Sequence, residues 1–136
     1  MSRTAFARIV VLDPEDRVLF LCRNLDKSYG GKYDIPGGGL EGLEQPAHGA
    51  ARELFEEAGI TIEPEELQLI DFRTWEGRTG NALYEATYVA KLASQPEVVL
   101  EPSEHSAYTW WKLEEVDAAK TIPEQVEIIS RYFNKN

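Results

Sequence analysis

Glu44, Glu53, Glu56 and Glu57 fall on and just before a single amphipathic segment that follows the turn-like run Pro36-Gly37-Gly38-Gly39. On a helix of 3.6 residues per turn, Glu53, Glu56 and Glu57 share an arc of about 100°. Like charges at that spacing destabilise an isolated helix by about 0.2–0.5 kcal/mol per pair, so concentrating them calls for a compensating ligand. A hard divalent cation that takes oxygen donors meets that need. A glutamate run with nothing else around it is ordinarily a solvated helix face. What separates the two readings is the set of residues at fixed distances from the carboxylates.

The element that must hold these groups has marked boundaries. Ala47, Ala50, Ala51, Leu54 and Ala58 recur at helical spacing away from the glutamates, which divides the segment into a core-facing stripe and an acidic one. Pro46 suits a first helical turn, and Gly59 suits the left-handed residue that ends a helix. Arg52 reaches Glu56 one turn on or folds back to Glu44, and in either case orients a carboxylate without touching substrate.

Read in order, Gly38, five residues, Glu44, seven residues and then Arg52-Glu53-Leu54-Phe55-Glu56-Glu57-Ala58-Gly59-Ile60 match the signature box of the Nudix hydrolases at every defining position. The chain therefore resembles that MutT-like family. Two residues depart from its usual pattern: Leu43, where members often have glycine, bears on the turn before Glu44, and Gly49, where they often have alanine, slightly weakens the helix. The resemblance implies an α/β fold, a Nudix-type α/β/α sandwich with a mixed sheet between helices, formed by residues 1–136 as one domain. It also implies hydrolysis of a phosphoanhydride in a nucleoside diphosphate linked to another group, dependent on Mg2+ with Mn2+ as a substitute.

The resemblance further implies that Glu56 and Glu57 are metal ligands, with a backbone carbonyl of Gly37 or Gly38. Glu53 is either a further ligand or the base that takes a proton from the attacking water, and the sequence leaves both roles open. Arg52 and Glu44 complete the catalytic set. Family members often place another acidic residue in a later loop, and of Glu101 and Glu104 the second is preferred here.

Around the box, Phe6–Leu12 and Val18–Arg23 read as strands joined into a hairpin by Asp13-Pro14-Glu15-Asp16. Residues 24–33 form a loop containing Gly30-Gly31 that leads to a short strand before Pro36. After the signature helix and a connector over 61–67, Leu69–Trp75 and Ala82–Leu92 make a second hairpin. Residues 93–106 are loop-like and acidic, Tyr108–Lys112 is a late strand, and Ile122, Val126, Ile129 and Phe133 share one face of a final helix. Such an order predicts a sheet covered by helices.

The 136 residues make one domain's worth of chain. With 24 acidic against 14 basic residues, a net charge of −10 and no basic stripe, long nucleic acid and anionic membranes are excluded as partners. A polyphosphate is still accommodated when cations bridge it to the protein. The single cysteine, Cys22, excludes an internal disulfide and Cys/His zinc clusters, and it reads as a small core residue. The absence of a secretory signal or a long apolar run points to the cytoplasm.

Arg23, Lys27, Lys32 and Arg78 are candidates for phosphate contacts. Tyr33, Trp75 and Tyr84 are candidates for stacking on a base, although such aromatics more commonly belong to the core. His105 is expected to be an exposed loop residue, and His48 to face solvent. The expected substrate is a small nucleotide, most simply a nucleoside triphosphate giving monophosphate and pyrophosphate. Small size favours this, as does a chain that starts almost directly with its first strand, without the dimerising segment that nucleotide-sugar members often carry. Dinucleoside polyphosphate, ADP-ribose and nucleotide-sugar hydrolysis are the alternatives. A non-catalytic nucleotide-binding regulatory module would show a degraded box, and an enzyme acting on RNA ends would need a basic track. Monomer and homodimer are both open.

Overall fold

Strand β1, Ala5–Leu12, is buried on both faces from Ile9 onward, which is why its second half reads as an unbroken apolar run. It lies at the centre of the sheet in the computed structural model, which describes residues 4–135. Met1–Arg3, where no secretory signal was read, and Asn136 lie outside the described residues. One edge of β1 runs parallel to β6, Ala82–Lys91, from Ala5 opposite Tyr84 to Leu12 opposite Lys91. Strand β6 continues antiparallel into β5, Gln68–Glu76, as the expected second hairpin.

The other edge of β1 is divided. Strand β2, Val18–Arg23, leaves the Asp13–Asp16 turn antiparallel to β1 but pairs with it only at Leu12 and Val18. Beyond that point β2 pairs with β3, Tyr33–Asp34, and with β7, His105–Trp111. Strand β4, Gly37–Gly39, takes the edge that β2 vacates, opposite Phe6, Ala7 and Arg8. The hairpin expected of the first two strands is thus cut to its base. The glycines expected to make a turn form a strand instead.

The physical reason lies in how closely β4 approaches β1. A Cβ on Gly37 would collide with the carbonyl oxygen of Ala7 and sit 2.8 Å from Arg8 Cα. Backbone in the middle of a sheet cannot move aside, so only glycine fits. Gly37→Ala is expected to lower stability by about 1–3 kcal/mol, the usual cost of overpacking. A urea midpoint matching that of the parent would show that the sheet yields there after all.

Helix α1, Pro46–Ala58, starts on Pro46 and ends at Gly59, whose φ is 70° and whose N–H donates to Phe55 O at 2.9 Å. Ala50, Leu54 and Ala58 pack on Ala7, Ile9, Val11, Leu19 and Leu21. Gly49 does more than weaken this helix: a Cβ there would meet the Leu40 side chain and lie 2.9 Å from Glu44 Oε1, so the glycine lets Glu44 reach the helix. Helix α2, Pro123–Lys135, covers the opposite face, where Ile129 joins Val10, Leu12, Phe20, Ile35 and Val89. The α/β/α arrangement is the expected one, although Gln125 and Ile128 take buried positions that Ile122 and Val126 were expected to fill. Gln125 is needed because its Oε1 accepts the Ile35 N–H at 3.0 Å, where the chain crosses from β3 to β4. No helix among the described residues is long and apolar enough to cross a membrane.

Candidate active site

Because α1 packs directly under β4, its last turn meets the glycine strand. Glu57 turns inward there and its Oε1 accepts the Gly37 N–H at 3.0 Å. Burial, reinforced by the charges of Glu53 and Asp34, pushes the Glu57 carboxyl up to about 8, against the opposing effects of that N–H and of Arg8. Burial also raises Glu53 above the usual carboxylate range. Arg52 ties the rest together. Its Nε donates to Glu44 at 2.7 Å, Nη2 to Glu44 at 3.0 Å and to Gly39 O at 3.1 Å, and Nη1 to Glu53 at 2.9 Å and Glu56 at 3.0 Å. The guanidinium is held protonated above its ordinary range, chiefly by the hydrogen bond to Glu44.

Glu53, Glu56 and Glu57 line one cavity of about 480 Å³ with Glu101 and Glu104 from the loop before β7. Each carboxylate has an internal partner: Ser103 donates to Glu101, and Lys27 Nζ lies 3.0 Å from Glu104. Accordingly, among the described residues no three His, Cys, Asp or Glu side chains are gathered tightly enough to form a ready-made cage. The three helix glutamates share one side as their spacing predicts, but unequally: Glu57 is buried while Glu56 is exposed. The donor set nevertheless fits a hard divalent cation. All the charged lining groups are carboxylates, neither His nor Cys is present, and at Gly38 a Cβ would lie 2.7 Å from the Glu53 carboxyl carbon, so the strand and that carboxylate approach closely only because glycine is there.

A ligating carboxylate must be ionised, so a cation taken by Glu57 displaces a proton at any pH below about 8. Mg2+ affinity measured by calorimetry is therefore expected to climb from about pH 6 to about pH 9, with proton release seen as a dependence on buffer ionisation enthalpy. A flat profile would remove Glu57 from the ligand set.

A second and larger cavity, about 790 Å³, opens where β1 and β2 part, with Arg8, Arg23, Asp34, Trp75 and Glu85 among its walls. Its four arginines are matched by the carboxylates around them. Arg8 Nε donates to Glu85 at 2.8 Å, Arg23 Nη1 to Asp34 at 3.0 Å, and Arg73 and Arg131 donate to Asp71 at 3.2 and 3.1 Å. Asp34 and Arg8 also lie near enough to Glu57 for their charges to act on its carboxyl, so the two cavities are electrostatically linked.

The family model for the NUDIX domain matches residues 1–132. The chain belongs to the Nudix family. With the Nudix box complete, it is a Nudix hydrolase, and members of this family generally use a divalent metal ion. Similar folds occur in the MutT protein of Methanosarcina mazei Go1, at 22% identity and TM-score 0.81 over 100% of this chain and 98% of that one. The dihydroneopterin triphosphate pyrophosphohydrolase of E. coli shows 24% identity and TM-score 0.78, covering 98% and 97%. An Ap4A hydrolase of C. elegans shows 23% identity and TM-score 0.75, covering 97% and 96%. No curated protein sequence matches.

Of the residues singled out from sequence, the Nudix fold brings Glu53, Glu56, Glu57 and Glu104 to one cavity, with Gly37, Gly38, Glu44 and Arg52 supporting it. Arg23 lines the larger cavity, but its guanidinium is committed to Ser28 O at 2.6 Å and to Asp34. Tyr33 packs on Trp111 at 5.0 Å, and Arg78 sits exposed at the tip of the β5–β6 hairpin, so neither lines that cavity. Lys32 donates to Ala119 O, and Tyr84 stacks on Phe72. His105 is corrected: it opens β7, is buried, and places Nε2 3.4 Å from Asp34 Oδ1. Sequence reasoning missed Arg8, Asp34 and Glu85. Their signal was a charged residue set within otherwise apolar strand segments, where burial demands a partner.

Proposed function

We propose that this Nudix hydrolase splits a nucleoside triphosphate into monophosphate and pyrophosphate with Mg2+, Mn2+ serving as a substitute. One observation carries this reading: an acidic cavity suited to a cation-bound polyphosphate is electrostatically linked to a larger one whose four arginines are already engaged by Glu85, Asp34 and Asp71. Four arginines facing five carboxylates do not attract a bare polyphosphate. They present donors and acceptors to an uncharged group, such as a base and its sugar, and the volume lies within the range of small-molecule sites.

Glu56 and Glu57 are assigned as metal ligands, with Glu53, Glu104 and a carbonyl of Gly37 or Gly38 as the remaining donors. The ion, when bound, neutralises phosphate oxygens and lowers the pKa of water. Arg52 positions Glu44, Glu53 and Glu56. Glu53, held above the usual carboxylate range by burial, is the group assigned to take the proton of the attacking water if it is not itself a ligand. The partner is thus a small nucleotide in the cytoplasm, bound by a monomer or a homodimer.

The solved neighbours named for Ap4A and dihydroneopterin triphosphate differ in what lies beyond the phosphates. Phosphate and pyrophosphate release should therefore be followed across nucleoside triphosphates, damaged nucleotides, dinucleoside polyphosphates, ADP-ribose and nucleotide sugars, with Mg2+ and with chelator. Chelator-sensitive turnover of triphosphates with pyrophosphate as product is the expected result. Turnover confined to another class would replace the substrate assignment, and Mg2+ and nucleotide binding with no turnover of any class would replace catalysis by regulation.

A further inference from the structure

The antiparallel ladder between β2 and β7 ends with Arg23 opposite His105, so the chain leaving β2 runs beside the acidic loop that enters β7. Backbone and side-chain hydrogen bonds fix that junction. The Asn24 N–H donates to Glu104 O at 3.0 Å, Asn24 Nδ2 to Pro102 O at 2.7 Å, and the Lys27 N–H to Asn24 O at 3.0 Å, closing a turn that brings Lys27 back to the acidic loop. There its Nζ lies 3.0 Å from Glu104 Oε2. The hydrogen bond and the charge of Glu104 hold the Lys27 ammonium above its ordinary range. Its neighbours Ser28 and Tyr29 line the larger cavity, but Lys27 does not.

The two carboxylates of the acidic loop are held in different ways. Glu101 Oε2 accepts both the N–H and the hydroxyl of Ser103, at 3.1 and 2.9 Å, so the loop itself occupies that carboxylate and keeps it below the usual range. Glu104 is paired instead with the tip of a long side chain, and both partners are open to water, at 35% exposure for Lys27 and 44% for Glu104. Such a pair is weak and breaks readily. Yet Glu104 lines the acidic cavity with Glu53, Glu56 and Glu57, where a divalent cation draws on carboxylate oxygens. We infer that Lys27 is a positioning residue of the metal site and a built-in competitor for Glu104: the lysine holds the carboxylate as an internal counter-ion, and a divalent cation gains it by taking the lysine's place. The inference rests on the assignment of Glu104 as a donor in the function proposed above, and adds to it a residue that sets metal affinity without touching the metal. Lys27 thereby takes a role other than the phosphate contact expected of it from sequence.

The test is a calorimetric titration of Mg2+ alone, without nucleotide, into the parent protein, Lys27→Met, Lys27→Arg, Glu104→Gln and the double variant Lys27→Met/Glu104→Gln. Lys91→Met, which removes an equal charge from the pair of Lys91 with Asp16 outside both cavities, is the control. Lys27→Met should bind Mg2+ about threefold more tightly, the size expected when an exposed ion pair no longer competes. Lys27→Arg and Lys91→Met should stay within about 1.5-fold of the parent. Glu104→Gln should bind about tenfold more weakly or worse, since a ligand matters no less than the partners that orient one. In that background Lys27→Met should lose most of its gain. A merely structural lysine would instead lower Tm and bring no tighter binding. Unchanged or weaker Mg2+ binding by Lys27→Met overturns the inference, and so does an equal gain with and without Glu104, which would mark a general effect of charge. If Glu104→Gln binds like the parent, the donor assignment made above falls and the competition falls with it. If Glu104→Gln weakens binding while Lys27→Met changes nothing, only the competition falls. Tighter Mg2+ binding by Lys27→Met that depends on Glu104, in a protein that turns over no nucleotide, would sink the proposed reaction and leave the competition standing.

Discussion

Glu57→Gln is expected to lower turnover by about a thousandfold, on the order of 4 kcal/mol of barrier, while leaving the fold intact. Glutamine keeps the oxygen that accepts the Gly37 N–H at 3.0 Å, so the junction between α1 and β4 is preserved. What disappears is the charge that a cation needs. The same substitution has a second, opposite signature in chelator. The Glu57 carboxyl lies far above its ordinary value of 4.5, at about 8, mainly because it is buried. A carboxyl raised in this way favours the folded state while neutral, so stability is fully present below pH 4.5 and is lost as pH rises to 8 and beyond. Glutamine lacks that loss. Urea melts without metal should therefore show the variant gaining on the parent as pH increases. Near-normal turnover would remove Glu57 from the site, and parallel pH profiles would show that its charge is not buried at a cost.

Arg52→Ala should be the most destabilising single change at the site, by about 3 kcal/mol in chelator, since it strips the counter-ion from half-buried carboxylates. Glu44 and Glu53 are only 16% and 15% exposed, and Glu41 and Glu56 lie within 4 Å of the same guanidinium, at 3.5 and 3.0 Å. Lysine should recover little. A point charge cannot replace a fork that donates to Glu44 from two nitrogens while reaching Glu53, Glu56 and Gly39 O from the same group. Because the defect is uncompensated negative charge, saturating Mg2+ should restore part of the lost stability, a partial rescue that a purely steric defect would not show. Urea midpoints with and without Mg2+ decide the matter, and a midpoint unaffected by the mutation would sink the role given to Arg52.

The helix that carries the site was legible in the chain because its information is local. Pro46 and Gly59 mark its ends, the alanines and Leu54 repeat at helical spacing, and Arg52 lies within reach of Glu44 and Glu56 whatever the helix packs against. The strands of the second hairpin were legible for the same reason, being adjacent in the chain. The first hairpin misled. Asp13 to Asp16 is a sound turn sequence, yet β1 finds its main partner in β6, far along the chain, and turn chemistry carries no signal of that pairing. His105 misled likewise, since its burial depends on Asp34 from a different strand.

By itself the amino-acid sequence determined the carboxylates and arginine of the box, which are residue types at short fixed spacings, and through that box the family; the sandwich of helices on a mixed sheet followed from the resemblance. Only the tertiary structure decided that Glu57 turns inward, that Asp34 is buried with Arg8 and Glu85 half-buried beside it, and that Tyr29 borders a large cavity while Tyr33 and Arg78 do not. The reason is that burial and charge pairing arise from contacts between segments distant in sequence. Here they depend on β1 and β2 separating after one residue pair, which opens the sheet at the point where β4 enters and the two cavities come close.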